Sequence, residues 1–104
     1  MKVYSIGELD ITHEAWAAEY VKNVTPMIER YGGRYLARSP RAERIEGERA
    51  VPQIVVIVEW PSREACDAFY SSEEYRPYLQ SRLDGARNEF LIVPGEDFTR
   101  AARI

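Results

Sequence analysis

Four apolar strand-like runs, two stretches with helical spacing and short polar links predict an α+β fold. The expected architecture is a ferredoxin-like βαββαβ unit, with both helical regions on one face of a four-stranded antiparallel sheet. Three observations carry this. "VYSIGELDI" and "QIVVIVEWPS" read as strands, "HEAWAAEYVKNVTPMIERY" has a helical period, and "EFLIV" supplies a strand after the second helical region. There is no room for a second domain.

The first strand spans residues 3–11, and Thr12 is placed to cap the helix that follows, with Glu14 in its first turn. At about 100° per residue, Trp16, Ala17, Tyr20, Val21, Val24, Met27, Ile28 and Tyr31 fall on one arc of that helix. Pro26 is expected to bend or divide it. Gly32 and Gly33 are expected to stop it, because glycine enters the left-handed region without steric cost. "RYLARS" is the second strand. "PRAERIEGER" is an excursion in which "RIEGE" is expected to form a short hairpin arm. Pro61 ends the third strand and Ser62 caps the helix "REACDAFY". Ser71 with Glu74 has the spacing of a capping box for the next helical segment, which Pro77 makes irregular at its start and which runs to about Ala86. The whole chain reads as one domain, with a core over residues 3–95 and a polar tail over 96–104.

Composition narrows the function classes. The 104 residues carry 14 Lys and Arg against 17 Asp and Glu, with the basic residues scattered, so no phosphate-binding stripe exists and nucleic acid is not an expected partner. No run approaches the ~20 apolar residues of a membrane span, and the N-terminus lacks the apolar block of a signal peptide. No membrane association and a cytoplasmic location are expected. The one cysteine, Cys66, permits no internal disulfide and reads as a small core residue. No metal-ligand spacing and no phosphate loop is present, so no metal or cofactor is expected.

The third strand is apolar on both sides. Ile54, Val56, Val58 and Trp60 point one way to pack beneath the helices, while Val55 and Ile57 sit in the middle of the opposite side. Each buried Val or Ile is worth about 1.5–3 kcal/mol, and a contiguous exposed patch of them marks an interaction site. A second copy of the same sheet is the simplest cover, so a homodimer through the sheet face is expected.

"RYGGRYLAR", Glu46 with Gly47, "VVIVEWPS", "AFYSSEEYRPY" and Arg82 together resemble domain-of-unknown-function family 1330 of the dimeric α/β-barrel superfamily. The resemblance runs from Tyr4 to Gly95. It implies a ferredoxin-like protomer and two sheets facing each other in a dimeric α/β barrel. It implies no reaction, since the relatives include cofactor-free oxygenases, isomerase-like enzymes and proteins without known chemistry. His13 stands where the family more often has an acidic residue.

Few residues offer chemistry. His13, the one histidine, falls in the apolar arc at a helix N-terminus, where a neutral imidazole would suit a general base; a hydrogen-bonded histidine at the edge of the core or surface is the simpler explanation. Arg82 stands among Tyr75, Tyr78, Leu79, Leu83 and Ala86 on one side of its helix, so its charge must be met by something. A ligand anion is one answer; a structural carboxylate such as Glu46, Glu59 or Glu8, or a head reaching water, is the other. His13 and Arg82 are the catalytic candidates, and Tyr20, Tyr75, Arg82 and Glu46 the ligand-binding ones. Two function classes follow. One is a cofactor-free site for a small anionic or phenolic molecule between helices and sheet; the other is a non-catalytic dimeric structural or protein-interaction module. A buried, empty, polar-lined cavity containing Arg82 favours the first, and a tightly packed helix-to-sheet space with Arg82 paired to a carboxylate the second.

Overall fold

The computed structural model describes residues 1–104. Its elements are β1 (Val3–Ile11), α1 (Ala17–Arg30), β2 (Arg34–Ser39), β3 (Ile54–Trp60), α2 (Arg63–Tyr70), α3 (Arg76–Gly85) and β4 (Ala86–Pro94). The strands form one antiparallel sheet in the order β2-β3-β1-β4, the ferredoxin-like arrangement expected from the element order. No helix is long and apolar enough to cross a membrane.

Side chains alternate across the sheet, so each strand contributes to a helix-covered face and an open face. On the covered face Val3, Val58 and Trp60 are buried against Val24, Met27 and Ile28 of α1 and Cys66 and Phe69 of α2, and Leu9 is buried as well. On the open face the register aligns Ile57, Ile6 and Leu91 in a row across β3, β1 and β4, with Tyr4 and Val93 beside them. Leu91 is 57% exposed and Val93 39%. A bulge between Tyr35 and Ala37 puts Tyr35 and Arg38 of β2 opposite Val58 and Val56, on the covered face.

Local chemistry explains the element ends. Gly32, at φ 95°, closes α1: its N–H reaches the carbonyl of Glu29 while Gly33 N–H reaches that of Ile28, the paired bonds of a Schellman motif. Ser62 accepts from the Ala65 N–H at 3.1 Å and caps α2 as expected. Ser62→Ala should therefore cost about 1 kcal/mol, read as a lower midpoint in urea unfolding; an unchanged midpoint would show the cap to be idle.

Five local expectations are corrected. Thr12 does not cap α1: the N–H groups of Thr12 and His13 donate to the Gly85 carbonyl at 2.9 and 3.3 Å, so the helix begins only at Ala17. Pro26 does not divide α1, which is continuous through it. "RIEGE" forms no hairpin arm, because the Arg44 guanidinium binds the carbonyls of Arg49 and Ala50 and closes the excursion as a loop turning at Gly47. The Ser71–Glu74 box is not made: Ser71 Oγ donates to the Asp67 carbonyl, Glu74 pairs with Arg30 at 2.7 Å, and Ser72 Oγ accepts the Tyr75 N–H instead. The last strand starts at Ala86, directly after α3, because Asn88 Nδ2 holds the carbonyls of Arg82 and Ala86 and lets the chain pass from helix to strand without a loop.

Candidate functional site

Between the helices and the covered face lies an apolar cavity of about 130 Å³. Leu9, Ile54 and Val56 form its sheet side, Trp16, Tyr20 and Val21 come from α1 and its lead-in, and Tyr75 and Arg82 belong to α3 and its start. Two arginines, Arg38 and Arg82, line it, and no carboxylate or histidine does. Arg38 has partners at the rim, Thr25 Oγ1 at 3.0 Å and the Tyr35 ring at 4.4 Å.

Arg82 is the unusual one. It is only 3% exposed, and no carboxylate meets it. Its Nε–H donates to Tyr20 Oη at 3.2 Å, Nη2–H to Tyr75 Oη at 3.3 Å, and Nη1–H to Asn88 Oδ1. Its guanidinium lies 4.1 Å from the centre of the Phe90 ring, a cation–π distance. The two phenol oxygens are 2.7 Å apart and hydrogen-bonded to each other. Every buried side-chain nitrogen and oxygen in the protein has a hydrogen-bond partner. The polar cluster is thus satisfied atom by atom, yet its positive charge has no counter-charge.

These contacts set the ionisation of the site. Burial works against the charge of Arg82, but the oxygens of Tyr20 and Tyr75 outweigh it, so the guanidinium is held above its ordinary range and stays charged. Burial pushes the Tyr20 phenol well above its ordinary range, with Tyr75 adding to the shift and Arg82 opposing it. Burial likewise pushes Tyr70, on another wall, up to about 12. Tyr20 is therefore a neutral phenol at physiological pH. The walls thus present a guanidinium and phenolic hydroxyls among apolar groups, with no histidine or carboxylate.

Two glycines make room for the aromatic walls. A Cβ on Gly7 would stand 2.2 Å from the Phe90 ring, so that ring lies across β1 where a side chain would otherwise be. A Cβ on Gly85 would stand 2.0 Å from Trp16 Nε1, and the indole uses the space to donate to the Gly85 carbonyl at 3.2 Å.

Of the residues singled out in the sequence, Tyr20, Tyr75 and Arg82 come together here. His13 does not: it precedes α1, is exposed and lies outside the cavity, because its N–H is drawn to Gly85 before the helix begins. Glu46 is exposed in the β2–β3 loop, far from pairing with Arg82. Glu59, also offered as a partner, binds Lys2 at 3.3 Å, and Glu8 is exposed on the open face opposite Val55 and Glu89. Sequence reasoning missed Asn88, Phe90 and the two glycines, and placed Trp16 on the apolar arc of the helix without assigning it to the site. Gly7 was the available signal, since a glycine in mid-strand marks close approach by another group. No group of three or more His, Cys, Asp or Glu side chains comes together.

The fold is shared with solved structures at low identity. A protein of unknown function from Rhodopseudomonas palustris superposes with a TM-score of 0.75 at 17% identity, covering 92% of this chain and 84% of that one. SnoaB, a cofactor-independent oxygenase from Streptomyces nogalater, gives 0.67 at 12% identity, covering 95% and 97%. A dimeric ferredoxin-like protein of unknown function from Jannaschia sp. CCS1 gives 0.62 at 9% identity, covering 90% and 99%. No curated protein sequence matches. The model of a domain of unknown function, DUF1330, matches residues 2–96, and the chain belongs to that family.

Proposed function

We propose that the protein binds a small anionic or phenolic molecule in the helix–sheet cavity, without a cofactor, as a homodimer assembled through the open face of the sheet. The observation that carries the ligand reading is the charge of Arg82, buried on the wall of an apolar cavity with no carboxylate beside it. A buried cation without a counter-ion lowers stability unless a ligand supplies the anion. The Cα trace supports the dimer: it is only 16 Å across its short axis, and its radius of gyration of 14.6 Å exceeds the ~13 Å of a compact 100-residue domain. A two-layer protomer of that shape leaves one sheet face uncovered, and the Jannaschia neighbour with this fold is described as dimeric.

Both tryptophans, Trp16 and Trp60, line the cavity, so their emission reports its occupancy. Titration with a panel of single-ring phenols and aromatic acids is expected to change that emission in the wild type. Arg82→Met should abolish the change in a protein that still folds, read from an unchanged far-UV circular dichroism spectrum, because it removes the charge while keeping apolar bulk. The melting temperature should fall somewhat, since Asn88 Oδ1 and the two phenols lose their donor. A silent wild-type titration, or equal binding by Arg82→Met, would overturn the reading. Since SnoaB is a cofactor-independent oxygenase, oxygen uptake with any phenol that binds is the first activity to assay.

A further inference from the structure

A guanidinium holds five N–H donors in a rigid fork, and its Nε–Nη2 edge is the one that grips a carboxylate with two parallel bonds. In Arg82 that edge is already spent on Tyr20 Oη and Tyr75 Oη. Nη1 is turned to Asn88, and one face is covered by Phe90. A carboxylate entering the cavity therefore finds that two-pronged edge occupied, three of the five donors being used within the chain.

The phenol pair has the opposite imbalance. Each oxygen accepts from Arg82, and the two share one hydrogen bond, which consumes one hydroxyl proton. The second hydroxyl proton has no acceptor in the chain, since neither oxygen makes any other hydrogen bond. A hydroxyl whose oxygen accepts from a cation is a strengthened donor. The size of the space agrees: an apolar cavity of about 150 Å³ holds one benzene ring, and this one measures about 130 Å³.

Resting on the cavity as a ligand site, we infer that its ligand is a single six-membered ring bearing one oxyanion, a phenolate or cyclic enolate, received by the spare hydroxyl of the Tyr20–Tyr75 pair. Arg82 is then a positioning residue, holding both phenols and supplying charge from behind them rather than clasping the ligand. The pair is also redundant. Removing either hydroxyl abolishes the bond between the phenols and frees the proton of the one that remains.

The test is calorimetric titration of the full chain with para-nitrophenolate and para-nitrobenzoate at mildly alkaline pH, where both probes are anions. The wild type should bind the phenolate about tenfold tighter or more, the worth of one charged hydrogen bond. Tyr20→Phe and Tyr75→Phe should each stay within about threefold of it, since one hydroxyl survives. The double variant should lose the phenolate and, with the fork opened, gain the benzoate. Wild-type benzoate binding as tight as phenolate binding, or a full loss of phenolate binding in either single variant, would overturn the inference and leave the ligand site standing. No binding of either probe would overturn both. If the double variant does not fold, the wild-type ratio and the single variants decide the matter.

Discussion

Phe69→Ala should remove about 3–5 kcal/mol of stability, the range for deleting a buried aromatic ring. Phe69 is 1% exposed and sits at the hub of an aromatic cluster. Its ring centre lies 4.1 Å from that of Tyr75, 5.5 Å from those of Trp60 and Tyr70, and 5.9 Å from that of Tyr31. One ring therefore ties α2 to the sheet, to the end of α1 and to the residue that begins α3. Truncation leaves a void that four aromatic neighbours cannot fill together, because moving Tyr75 inward would break its bonds to Tyr20 and Arg82. Against a typical total of about 5–15 kcal/mol, the variant should unfold at far lower urea concentration. A midpoint close to wild type would show that the cluster repacks freely and that Tyr75 is not held in place by it.

Ile6→Asp should convert the proposed dimer to a monomer. Ile6 stands in the middle of the open face, paired with Ile57 on one side and Leu91 on the other, so a facing sheet would bury it. A specific interface of at least ~1,200 Å² is expected there. Each copy would then bury a carboxylate without a partner, at a cost of about 3–5 kcal/mol. The measurement is sedimentation at micromolar concentration together with a melting curve. The wild type should sediment as a dimer, and the variant as a monomer that melts lower. A monomeric wild type, or a variant that stays dimeric, would refute the facing-sheet assembly. In a protein that is monomeric by nature, an added charge on an exposed sheet face would improve solubility and leave the melting temperature nearly untouched.

The strands and the covered face were legible because they follow from alternation. The runs at residues 3–11 and 34–39 became β1 and β2 at the same boundaries, and Val58 and Trp60 face the helices as their spacing required. Arg82 was legible as an oddity, since a guanidinium in an apolar stripe demands a partner. What it would meet was not legible. Asn88 and Phe90 reach it from β4 through the abrupt turn at Gly85, and a strand pattern does not reveal which of its inward side chains lies under a helix. His13 was misplaced for a related reason. The helical period can be extended backwards to it, but the competing acceptor, the Gly85 carbonyl, is 72 residues away along the chain. The start of α1 was decided by a tertiary bond rather than by a capping side chain.

The absence of a loop between α3 and β4 divides the site unequally along the chain. Tyr75, Arg82, Asn88 and Phe90 lie within one continuous stretch, the Arg82 contacts to Tyr75 and Asn88 spanning only 7 and 6 residues. The contact from Arg82 to Tyr20 spans 62. By the logarithmic cost of closing a chain, fixing that distant hydroxyl requires about 2 kcal/mol more entropy than fixing the near one. The guanidinium, the amide and one phenol are thus a local assembly, ordered by neighbouring residues. Tyr20 is the member recruited from afar, and a loosening chain gives up its contact first.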